Sequence, residues 1–200
     1  MCSHNHDCDD QGCGGSSLWS AINHAAVRCL NAADSDAAAR ILRPWEERRL
    51  RDVELCSQEG DPELLLTIPF TRSVRLTGIV VSGGGSGSSP AEMRAYVNRE
   101  VDFGVAHDAA PLQAWSLVDD TRGDVEYATR VARFTGVSSL TLHFPTNGGA
   151  DATRICFVGL RGTASAENRE ALVNVVYEVT PRPSDHKAPA DELRNRMQTM

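Results

Sequence analysis

From Pro62 to Gly83 the chain alternates with a period of two. Leu64, Leu66, Ile68 and Phe70 are separated by Leu65, Thr67 and Pro69, with Glu63 leading in, the pattern of a β-strand with one buried face. Thr71-Arg72-Ser73 is a short polar break that predicts a hairpin loop, after which Val74 and Leu76 resume the alternation against Arg75 and Thr77. Past Gly78 the apolar phase changes to Ile79 and Val81 with Val80 between them, which predicts either a bulge at Gly78 or a strand end covered on both faces. Two such strands cannot bury these faces alone, so later segments must supply an opposing layer.

The same period returns in Val53 and Leu55, in Met93, Ala95 and Val97, and in Val125, Tyr127 and Val131. It is clearest in Leu140, Leu142 and Phe144 and in Val173, Val175, Tyr177 and Val179. Ile155-Cys156-Phe157-Val158-Gly159-Leu160 is apolar in both phases and reads as a central strand. Leu18 to Leu30 predicts a strand followed by a helical turn, and Ala32 to Arg40 a loop or one turn of helix. Gly83 to Ser89 reads as a flexible surface loop, and residues 99 to 124 as a long connection from which Trp115 and Leu117 dip into the core. Seven to nine short strands joined by Gly, Asn, Pro and Asp turns predict an all-β, antiparallel sandwich.

With 200 residues and 41% hydrophobic content, the chain is long enough for one domain with a substantial core. Residues 1–17 carry no periodic apolar signal and read as a disordered Cys/His-rich tail, and residues 188–200 read as a second tail. There, acidic Asp191 and Glu192 precede basic Arg194 and Arg196, a polarity that suits a short helix ordering on a partner. The formal charge of -7, with basic residues scattered among acidic ones, argues against nucleic acid as a partner. No signal segment or bilayer-spanning apolar run is evident, so the expectation is a soluble, unsecreted, monomeric protein. Its six cysteines include no Cys-x-x-Cys and are expected to remain reduced.

Cys2, His4, His6, Cys8 and Cys13 offer thiolate and imidazole ligands for zinc or copper, and with Met1 removed, Cys2-Ser3-His4 also makes an amino-terminal site for copper(II) or nickel(II). Their spacing fits no structural zinc module, so the competing expectation is a solvated tail that takes up Zn, Cu or Ni only adventitiously, with no resident cofactor. His143 lies in the off-core phase of its strand with no nucleophile motif beside it, and is expected to be a surface or groove histidine. Asp185-His186 is expected to form a hydrogen-bonded corner rather than a catalytic pair. Trp45, Glu46, Glu47 and Arg48 form a candidate partner-binding patch, with Trp45 equally readable as a lid on the core.

Glu63-Leu64-Leu65-Leu66-Thr67-Ile68-Pro69-Phe70, Pro90-Ala91-Glu92-Met93-Arg94, Glu126-Tyr127-Ala128-Thr129, Asn147-Gly148-Gly149-Ala150-Asp151 and Gly159-Leu160-Arg161-Gly162 follow one another in an order that resembles the PITH domain. The resemblance extends over residues 18–187. Pro44-Trp45-Glu46-Glu47-Arg48 and the His-rich beginning make the chain most similar to stand-alone PITH proteins, without the thioredoxin module of two-domain members. It implies a jelly-roll-like β-sandwich related in architecture to galactose-binding-like domains. It also implies a non-catalytic adaptor that docks on the regulatory particle of the 26S proteasome in cytoplasm and nucleus. The alternative is a sandwich that binds a small ligand or carbohydrate through its end loops.

Overall fold

The computed structural model describes residues 15–165. Its strands are β1 (Ser16–Ser17), β2 (Arg28–Leu30), β3 (Leu55–Cys56), β4 (Leu64–Gly83), β5 (Glu92–Val97), β6 (Gln113–Ser116), β7 (Glu126–Ala128), β8 (Val137–Phe144) and β9 (Arg154–Ala164). Two short helices, α1 (Ala37–Arg40) and α2 (Phe103–Asp108), accompany them. The strands pair antiparallel along the path β1-β9-β4-β8-β5-β6, with β2 and β7 also on β4 and β3 also on β9. The predicted strand at Val173–Val179, the Pro183–Lys187 segment and both tails lie outside the described residues.

β4 is one strand of 20 residues, which corrects the expected hairpin. Its first half lies between β2 and β8, from Leu64 opposite Phe144 to Pro69 opposite Ser139. Its second half lies between β7 and β9, and the register shifts between Pro69 and Val74. Thr71-Arg72-Ser73 is therefore where one strand exchanges its neighbours, a corner of the kind by which a curled sheet closes into a sandwich. The bulge expected at Gly78 is present: Leu76 faces Gly162 and Gly78 faces Arg161, which leaves Thr77 as the extra residue.

Both halves of β4 line one interior. Leu64, Leu66 and Ile68 from the first half, and Ile79 and Val81 from the second, join Leu140, Leu142, Phe144, Ile155, Val158 and Leu160 in a single buried cluster. Each such aliphatic side chain contributes roughly 1.5–3 kcal/mol on burial. A smaller cluster of Leu65, Tyr96, Val101 and Ala106 lies on the reverse face of the sheet.

Three local expectations are corrected. Residues 99–124 are not a bare connection, because they contain α2 and β6, although Trp115 and Leu117 do pack against the core. Near the start, 3-10 turns at Trp19–Ala21 and His24–Ala26 precede β2 rather than follow it. The Gly83–Ser89 segment is largely buried instead of being a free surface loop. Ser88 Oγ donates to the Gly85 carbonyl at 2.6 Å, and Ser89 Oγ donates to Asp119 Oδ1 at 2.5 Å while accepting from the Gly85 amide at 2.9 Å.

Candidate functional site

Strand parity assembles the reverse face of the sheet. Leu65 pairs with His143, and His143 pairs with Arg94, so these three side chains share a face with Tyr96 and Thr141. Glu63, two residues before Leu65, keeps the same phase. Its backbone is fixed because Asn31 Nδ2 donates to the Glu63 carbonyl at 2.7 Å and the Glu63 amide donates to Asp61 Oδ1 at 3.1 Å. α2 covers this face. Its amino end is capped by Asp102, whose Oδ1 accepts from the Val105 amide at 2.8 Å, and Tyr96 Oη donates to the Ala106 carbonyl at 3.0 Å. Asp102→Ala should therefore lower stability by about 1 kcal/mol, with Asp102→Asn retaining most of it, as read from urea unfolding midpoints.

α2 places His107 over the same spot. Nε2 of His107 and Nε2 of His143 each lie 2.6 Å from Oε1 of Glu63. The side chain of His143 is 0% exposed, that of Glu63 18% and that of His107 55%, so the cluster runs from the sheet surface outward to solvent. Phe103 packs edge-on to His143 and nearly parallel to His107. Burial pushes the His143 imidazole below its ordinary value, against the opposing pull of Glu63, and so favours the neutral ring. Among the described residues His143 Nδ1 has no hydrogen-bond partner. The expectation of a surface or groove histidine is thus corrected: His143 is buried beneath α2. One ligand atom from each of Glu63, His107 and His143 lies within 4.8 Å of the others, a donor set that can hold a metal ion. The shared phase of Glu63 and Leu65, and the off-core phase of His143, were visible in the sequence. Nothing there announced α2, and so nothing placed His107.

The candidate partner patch occupies a 3-10 turn over Trp45–Glu47. Trp45 is half-buried, with the guanidinium carbon of Arg48 4.4 Å from its ring centre and that of Arg161 at 4.3 Å. Phe157 meets the ring edge-on at 6.2 Å. Such cation–π contacts stabilise by about 0.5–2 kcal/mol each, depending on exposure. Glu46 and Glu47 are exposed, and Leu50, whose amide donates to the Glu47 carbonyl, is 49% exposed. The patch is therefore both a lid over Phe157 and an acidic surface bearing an exposed leucine. The roles of Leu50 and Arg161 were not anticipated from sequence.

Cys2, His4, His6, Cys8 and Cys13, like Asp185 and His186, lie outside the described residues. Cys29, Cys56 and Cys156 are free thiols. Burial pushes Cys29 up to about 12 and raises Cys56 and Cys156, which makes all three poor nucleophiles. Two open grooves cross the surface, one lined by Ala25, Leu30, Pro69 and Val101 beside Arg28 and Asn98, the other by Gln58, Gly84, Ser88, Asp151 and Arg154. Among the described residues neither is lined by an aromatic side chain, which small-molecule sites commonly use. Among the described residues no helix is long and apolar enough to cross a membrane.

Comparison with known proteins places this geometry. The sequence model of the PITH domain matches residues 8–181. PITH domain-containing protein 1 of Dictyostelium discoideum is 37% identical over 189 residues, covering 93% of this chain and 91% of its relative. The Xenopus laevis protein of that name is 39% identical over 173 residues, covering 85% and 81% respectively. Among solved structures, the CBM32-1 and CBM32-2 domains of Clostridium perfringens ZmpB, in complex with GalNAc, superpose with a TM-score of 0.54 at 10% identity. That alignment covers 72% of this chain and 35% of the other. An F5/8 type C domain from Bacteroides fragilis gives 0.50 at 14% identity, covering 72% and 97%. At such low identity these likenesses show the β-sandwich fold alone.

Proposed function

Because the chain belongs to the PITH domain family, we propose that it is a non-catalytic, monomeric adaptor that docks on the regulatory particle of the 26S proteasome in cytoplasm and nucleus. The observation that carries this reading is the Trp45 patch. A tryptophan whose ring is contacted by two guanidiniums gives a packed platform beside which Glu46, Glu47 and Leu50 are exposed. Rigid aromatic anchors with arginine neighbours dominate protein-binding energetics. The thiols of the described residues support a non-catalytic role, since desolvation raises Cys29, Cys56 and Cys156 rather than activating them. A carbohydrate-binding role has only the shared fold behind it, and the aromatic-free grooves do not favour it.

Affinity purification of the tagged full chain with ATP present, followed by mass spectrometry, tests the reading. Regulatory-particle subunits should accompany the full chain. Recovery should fall with the double substitution Glu46→Lys and Glu47→Lys, which changes exposed charge without disturbing the Trp45 stack, and with truncation after Lys187 if that segment is a second anchor. Enrichment of another partner in place of regulatory-particle subunits would overturn the assignment.

A further inference from the structure

We propose that Glu63 Oε1, His107 Nε2 and His143 Nε2 bind a zinc-type divalent cation whose fourth coordination position faces solvent. Three residues far apart in sequence, from the lead-in to β4, the end of α2 and the strand β8, bring one donor atom each to a common point. Both imidazoles meet the same carboxylate oxygen. A network built only to satisfy hydrogen bonds has no need to crowd two rings onto one oxygen, since a carboxylate offers two acceptors.

Two imidazoles and a carboxylate are a donor set suited to zinc, and three protein ligands leave an open position for water or another oxygen or nitrogen donor. Ligand bonds of about 2.0–2.1 Å at a tetrahedral centre imply donor separations of roughly 3.3 Å. The observed separations of 2.6 Å to Glu63 Oε1 must therefore open by roughly 0.7 Å. His107 is the ligand free to move, since it sits at the exposed end of α2, while His143 is held on the sheet.

Arg94 is an opposing charge on this face, as is Arg99, whose guanidinium carbon lies 5.1 Å from the Tyr96 ring centre. Nε of Arg94 donates to Glu92 Oε1 at 2.6 Å, which offsets part of its field at the cluster. A bound cation would tie α2 to the sheet and to the start of β4, joining segments held together elsewhere by the small cluster around Tyr96.

The amino-terminal residues Cys2, His4, His6, Cys8 and Cys13 also offer metal ligands, so the test uses the full chain carrying Cys2→Ser, His4→Asn, His6→Asn, Cys8→Ser and Cys13→Ser. Calorimetric titration with zinc chloride should show one bound equivalent, and zinc should raise the melting temperature. Cobalt(II) in its place should give visible ligand-field bands without thiolate charge transfer. Adding His107→Ala or Glu63→Gln should weaken zinc binding by more than about tenfold, since loss of even an outer-shell partner commonly costs that much. The same substitutions should abolish the zinc-dependent rise in melting temperature. His107→Ala removes an exposed ring and should leave the zinc-free melting temperature nearly unchanged, which separates loss of the ligand from loss of the fold. Failure of the parent to bind a stoichiometric equivalent, or undiminished binding by both variants, would overturn the proposal and leave the adaptor reading untouched.

Discussion

Gly162→Ala should leave the protein largely unfolded, with a loss of at least about 4 kcal/mol, a large share of a typical domain's stability. Gly162 lies in β9 opposite Leu76, at the edge of the bulge that makes Thr77 an extra residue in β4. Its φ is +157°, and a methyl group there would overlap the Arg75 carbonyl oxygen and meet the Leu18 side chain at 3.1 Å. A backbone carbonyl cannot step aside as a flexible side chain can, so the β4–β9 pairing itself has to move. Gly136→Ala is the control. Its φ of +72° is left-handed, but among the described residues nothing lies within 4 Å of the added carbon, so only the conformational cost of about 1–2 kcal/mol applies. Urea unfolding of the two variants beside the parent checks both values. A Gly162→Ala protein as stable as Gly136→Ala would show that the bulge is not held as described.

Asp120→Ala should cost about 3–5 kcal/mol, again read from urea unfolding. Asp120 is 9% exposed, and its carboxylate organises the turn that leads into β7. Oδ1 accepts from the amides of Arg122 and Gly123 at 2.8 and 2.9 Å, and Oδ2 accepts from those of Asp124 and Val125, each at 2.7 Å. The Asp120 carbonyl also accepts from the Gly83 amide at the end of β4. Bonds to a charged acceptor contribute roughly 1.5–3 kcal/mol each where water cannot replace them. Part of this turn is solvated, which limits the total. Asp120→Asn keeps one acceptor oxygen and turns an amide group toward the other pair of donors, so it should recover about half of the loss. Equal stability of parent and Asp120→Ala would show that water substitutes fully for the carboxylate.

The sandwich was legible wherever alternation was long. β4, β5, β8 and β9 fall on Leu64–Gly83, Glu92–Val97, Val137–Phe144 and Arg154–Ala164, the stretches whose period of two or double apolar phase stands out. The corner in β4 was misread because Thr71-Arg72-Ser73 has the composition of a turn. Its phase carried the correct information: positions 64, 66, 68, 70, 74 and 76 keep one parity throughout, as a continuous strand does and a hairpin loop need not. The Gly83–Ser89 loop was misread for a different reason. Glycine and serine signal flexibility by composition, but here left-handed φ values at Gly85, Ser86 and Gly87 and serine hydroxyls bonded to backbone and to Asp119 hold a single conformation.

Two of the three residues in the cluster at Glu63 were legible. Two of its members follow from strand parity, while the third depends on α2, only six residues long and with its buried contacts limited to Ala106 and a few partly buried neighbours. A helix that short carries too little periodic signal to be separated from a loop. In the Trp45 patch, sequence identified the tryptophan, but the second guanidinium on its ring comes from Arg161, which lies in β9, far along the chain.

The most direct test of the adaptor account is binding of the purified chain to purified proteasomes, with ATP present, compared between the intact 26S particle and the isolated core particle. The account predicts saturable association with the 26S particle, none with the core particle alone, and weaker association for the chain carrying Glu46→Lys and Glu47→Lys at unchanged melting temperature. Equal binding to both particles, or none to the 26S particle from a chain that is folded by circular dichroism, would contradict it.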